Sequence, residues 1–76
     1  MPRPNKVTTN EVLTASTVRA IAYILLVQER PLEDCADALK HLGVTLEIVT
    51  KVREAKLARE LWIDAIAYYG RQGLIT

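Results

Sequence analysis

The chain has 76 residues, half of them apolar, with 10 basic and 9 acidic side chains, one cysteine and one histidine. That length holds one domain with a thin core, because so short a chain buries only about 60–65% of the surface it exposes when unfolded. A near-neutral balance argues neither for nor against a nucleic-acid partner, and a lone cysteine excludes an internal disulfide and fits a reducing compartment.

The opening MPRPNK carries two prolines and no apolar stretch, so residues 1–7 read as a loose arm without a secretory signal. Thr8 followed by Glu11 is a capping-box pattern, and from there Leu13, Val18, Ile21, Ala22, Leu25 and Leu26 recur at helical spacing. A first helix over about 8–29 is expected. Its Ala20–Val27 segment is the longest apolar run, eight residues against the roughly 20 of a membrane span. It reads as core, and a cytoplasmic location with no membrane contact is expected.

Pro31 disfavours helix at Arg30 and suits the start of a second helix, about 31–42, whose first turn carries Glu33 and Asp34 where the helix dipole favours negative charge. Leu32, Cys35, Ala36, Leu39 and Leu42 share one face, and Gly43 suits the left-handed residue that closes a helix. Thr45 is the expected cap of a third helix running to about residue 69, where Gly70 stops it ahead of a short tail, 71–76. AIAY occurs at 20–23 and again at 65–68, but the flanks differ and no repeat is inferred. The expected fold is all-α, three helices in a single domain over residues 8–70.

The corner around Gly43 has two readings, a helix-turn-helix unit for DNA or a tight turn between packed helices. In the first, Gly43 takes the turn, Ala38, Leu42 and Val44 seal it, and Val49 and Val52 dock the second helix on the first. With Arg30, Pro31, Ala36, Leu39, Gly43, Val44, Thr45 and Val49 in place, residues 20–55 resemble the small helix-turn-helix DNA-binding regulators of phages and plasmids, loosely the TrfB-type repressors. Those families place a small residue four positions before the glycine, where this chain has Leu39 or, one turn earlier, Ala36. The resemblance implies a repressor or other transcription regulator that binds double-stranded DNA as a homodimer.

With Val49 and Val52 inward, the outward residues are Thr45, Leu46, Glu47, Thr50, Lys51, Glu54 and in part Arg53. Thr45, Thr50, Lys51 and Arg53 suit phosphates or base edges, Glu47 suits a cytosine amino group, and Arg3 and Lys6 on the arm would add phosphate or minor-groove contacts. Glu47 and Glu54 make this face mixed in charge. A second class of function therefore stays open, an α-helical protein-interaction module such as a phage- or plasmid-type inhibitor or adaptor of a host protein.

From Leu57 onward the third helix carries a second apolar stripe, Leu57, Leu61, Ala65 and Tyr68, with Trp62 and Tyr69 bridging it to the first. A helix apolar on all sides needs cover on all sides. A second copy is the expected cover, and helix one with the tail residues Leu74 and Ile75 is the alternative. The mean hydropathy of +0.09 agrees with self-association. No catalytic constellation stands out. Cys35 and His41 are too few ligands for zinc, so the expected protein is no enzyme and takes neither cofactor nor metal.

Overall fold

A computed structural model describes residues 12–75. Among them the chain forms four α-helices and no strand: α1 Ala15–Ala22, α2 Leu32–Leu39, α3 Leu46–Arg53 and α4 Arg59–Arg71. The all-α expectation holds and the division into three helices does not. No helix among the described residues is long and apolar enough to cross a membrane.

Thr14 starts α1. Its backbone is extended (φ −83°, ψ 167°) and its side-chain oxygen accepts from the Thr17 amide at 3.2 Å, satisfying one of the orphan donors of the first turn. The helix expected to run unbroken over 8–29 is therefore interrupted at Thr14. The Thr8–Glu11 capping box, and with it Arg3 and Lys6, lies outside the described residues. α1 passes directly into a π-helical turn, Tyr23–Val27, in which the Gln28 amide donates to the Tyr23 carbonyl five residues back, at 2.9 Å. Glu29 then takes a left-handed φ of 54°, and the Arg30 amide donates to the Ile24 carbonyl at 3.0 Å. The helical path thus ends before Pro31 acts on it, and Pro31 sits just outside α2 as its extended N-cap.

α2 buries Cys35 and Leu39 and tightens into a 3₁₀ turn, Lys40–Leu42. Gly43 follows with φ 87°, as the sequence leads one to expect, and a Cβ there would also lie 3.1 Å from Val12 Cγ2. Val44 is buried and Thr45 caps α3, its Oγ1 accepting from the Ile48 amide at 3.2 Å. Val49 and Val52 are fully buried. Ala38 and Leu42, expected to seal the corner, are both exposed. The 3₁₀ turn winds more tightly than an α-helix and changes the phase just before the glycine, so Cys35 and Leu39 supply the inward face instead.

The long third helix expected over 45–69 is two helices. Ala55 is left-handed (φ 60°), its amide donating to the Val52 carbonyl at 3.0 Å and that of Lys56 to the Lys51 carbonyl at 2.8 Å. This pair of bonds closes a helix in the Schellman manner, here on an alanine where glycine is usual. Ala58 is left-handed too (φ 50°), and α4 starts without a side-chain cap. The break lets α4 leave the line of α3 and pack along α1, the most extensive helix–helix contact of the fold. α4 continues through Gly70, expected as its stop, and closes on Gly73 (φ 75°), whose amide donates to Gly70 while that of Leu74 donates to Tyr69, both at 3.0 Å.

One core joins the four helices: Val18, Ile21 and Ala22 of α1, Cys35 and Leu39 of α2, Val49 and Val52 of α3, Trp62 and Ala65 of α4. Burial holds the Cys35 thiol, pushed up to about 11, in its protonated form, with the Arg30 charge opposing the shift. An inert, buried thiol of this kind behaves as a small apolar residue.

Candidate nucleic-acid interface

The two buried valines decide what α3 shows outside. Since Val49 and Val52 point into the core, Leu46, Glu47, Lys51 and Arg53 are exposed and Thr50 is half-buried. Thr45, also exposed, spends its oxygen on the cap. The Thr50 hydroxyl donates to the Leu46 carbonyl at 2.8 Å, which occupies its proton and leaves an oxygen lone pair as its free function. Lys51 Nζ lies 3.0 Å from Glu47 Oε1, one helical turn back. Arg53 has no ion-pair partner among the described residues.

Two exposed basic residues outside α3, Arg30 and Lys56, are not assigned a role from the sequence. Arg30 and Arg53 border one cavity of about 340 Å³, floored by Leu25, Leu26, Pro31 and Leu32 and bordered also by Glu33. Arg30 lies 3.6 Å from Asp34 through Nε. Lys56, just past α3, lies 3.6 Å from Glu54. The signal for Lys56 is present in the sequence, because Lys51, Arg53, Lys56 and Arg59 crowd basic residues into one short stretch. That for Arg30 is not, since its approach to Arg53 depends on how α2 and α3 pack.

The residues expected to meet a second molecule are placed differently. Trp62 and Ala65 lie in the core, 6% and 0% exposed, so neither is free for a partner. Leu57, Leu61 and Tyr69 are half-buried and pack against that core. The Tyr69 hydroxyl donates to the Arg19 carbonyl at 3.1 Å. Tyr68 is half-buried beneath the Arg19 guanidinium, 4.6 Å from its ring centre, and Arg19 also reaches Asp64 at 3.7 Å. The rings of Tyr23, Tyr68 and Tyr69 complete this contact, with Tyr69 lying 5.7 Å from Tyr23 and 5.1 Å from Tyr68. Burial first, then the neighbouring Tyr68, raises the Tyr69 phenol above its ordinary pKa. The stripe is covered largely by α1 of the same chain. The break at Ala55–Ala58 makes this possible, and a continuous helix would have carried the stripe away from α1.

No cluster of three or more metal-ligating side chains occurs among the described residues. No family model, curated protein or solved structure matches the chain.

Proposed function

We propose that the protein is a small helix-turn-helix regulator that binds double-stranded DNA, two copies acting together, with α3 as the helix offered to the major groove. One observation carries this reading. A left-handed Gly43, a Thr45 cap and two fully buried valines hold α3 rigidly against α2, with Lys51 and Arg53 turned outward. Arg30 beside Arg53, and Lys56 after it, widen the basic footprint beyond what α3 alone supplies. Thr50 adds an acceptor, and Glu47, released from Lys51, suits a cytosine amino group.

Salt dependence of binding to random duplex tests the reading. With about four phosphate contacts per copy, about eight for the pair, affinity should fall on the order of 10,000-fold between about 50 mM and about 200 mM salt. Arg53→Ala should weaken binding across sequences alike and lower the slope. Absence of binding at about 50 mM salt would sink the proposal.

The second reading, an interaction module for a host protein, rests on a different observation. Leu42 and Leu46 flank the turn and are 45% and 44% exposed, and Lys51 is already paired with Glu47. An apolar pair beside an internally neutralised charge suits a protein surface better than phosphate.

A further inference from the structure

With the aromatic stripe of α4 spent on α1, the opposite face of the helix stands out. Ile63 is 52% exposed, the largest value among the exposed large apolar side chains. Ala67 and Gly70, both exposed, follow it at i+4 and i+7 and share its face. A Cβ built on Gly70 meets nothing within 4 Å, so this part of the helix surface is open. Leu74, in the turn that closes α4, is 46% exposed.

Two charges frame this face. Glu60 and Arg71 are exposed and have no ion-pair partner among the described residues. Eleven residues separate them, close to three full turns, so they project from the same flank of the helix at opposite ends. When two antiparallel helices are related by a two-fold axis, the same flank of each faces the other. Glu60 of one copy then meets Arg71 of its mate, and the pair forms twice. A parallel arrangement would put this flank on opposite sides of the seam, so the Glu60 and Arg71 of the two copies would not meet. The shapes agree with the antiparallel register, because pairing Glu60 with Arg71 sets Ile63 of one copy at the level between Ala67 and Gly70 of the other.

We infer that the outer face of α4 is a docking surface for a second copy of this chain, in an antiparallel α4–α4 pair seated on Ile63, Ala67 and Gly70 and bracketed by Glu60 and Arg71. This rests on the proposed function only in that two copies act together, and it relocates their seam from the stripe that α1 covers. α4 has 13 residues, about 20 Å of helix, so the seam is short beside a standard interface and the dimer forms in a concentration-dependent way.

Sedimentation equilibrium of the full chain without DNA tests the seam separately from duplex binding. A monomer–dimer equilibrium is expected, with Ile63→Glu monomeric and unchanged in helical circular dichroism. Glu60→Arg or Arg71→Glu should each weaken the dimer about 3- to 10-fold, and the double swap should restore it. Ala67→Cys, close to the two-fold, should form an intermolecular disulfide on mild oxidation, and Lys56→Cys should not. A chain that stays monomeric at several hundred micromolar overturns the inference. So does a dimer that survives Ile63→Glu, or a double swap as weak as the two single ones.

Discussion

The α2–α3 corner and the α1–α4 contact are built from different materials. The corner is closed by small aliphatic groups a few residues apart: Cys35, Leu39, Val44, Val49 and Val52, with a glycine where the backbone turns left-handed. The α1–α4 contact joins residues far apart in the chain and is aromatic and polar at its edge: Trp62, three tyrosines, a guanidinium over a ring, and a hydroxyl bonded to a backbone carbonyl fifty residues away. A corner of local contacts sets the angle between two helices cheaply. A long-range contact has to overcome the entropy of closing the chain, and large rings supply more buried area per residue for doing so.

The largest test of this contrast is Trp62→Ala. It removes the principal ring of the α1–α4 contact and should cost about 3–5 kcal/mol, a large share of the stability of a chain this size. A loss below about 1 kcal/mol in urea denaturation would move the weight of the fold to the corner.

A smaller effect belongs to the corner and is read by pH. The Cys35 thiol is raised from 9.0 to about 11 by burial, so the unfolded chain gives up this proton first. Its contribution is fully present below about pH 9 and is lost as pH rises towards 11, on the order of 2–3 kcal/mol in all. Urea midpoints at pH 8 and pH 11 should record the loss, and Cys35→Ala should remove that part of it. The raised Tyr69 phenol acts in the same direction above its ordinary value of 10.0 and would remain in the variant.

The smallest effect is a gain at the joint between the two regions. Ala55 is left-handed, so Ala55→Gly relieves backbone strain and should stabilise the fold by about 0.5–1 kcal/mol, after the added freedom of the unfolded chain is subtracted. A thermal midpoint that falls in this variant would contradict the strain argument.

These three positions also mark how far the fold was legible in the sequence. Gly43, Thr45, Val49 and Val52 announce the corner, because turn, cap and inward face are all local signals. The end of α3 does not announce itself. VREAKLARE contains neither glycine nor proline, and a good helix former takes the left-handed position at Ala55 because α4 gains more by packing on α1 than by extending α3. That tertiary contest is invisible to periodicity. The same contest turns the expected dimer stripe inward, and α4, expected to stop at Gly70, runs to Arg71 and closes on Gly73. Of the residues of this segment expected to point outward, Thr45, Leu46, Glu47, Lys51 and Arg53 are exposed, and Thr50 is half-turned away. The pairings Lys51–Glu47 and Thr50–Leu46 depend on rotamers that spacing permits without requiring.

The π-helical turn at Tyr23–Val27 has a consequence of its own. A π turn holds one residue more than the α turn it replaces, which is what a single inserted residue leaves behind in a helix. Deleting one residue there would restore a regular helix at no local cost. The residues after it would keep their direction, because an α turn with one residue fewer ends where the π turn ends. A deletion inside the regular turns of α1 has no such outlet, and it would turn Val18 and Ile21 about 100° out of phase with Arg30, Pro31 and α2. The widened turn thus stores one spare residue, and a one-residue deletion in Tyr23–Val27 should be tolerated better than one within Ala15–Ala22, as read by thermal midpoints of the two variants.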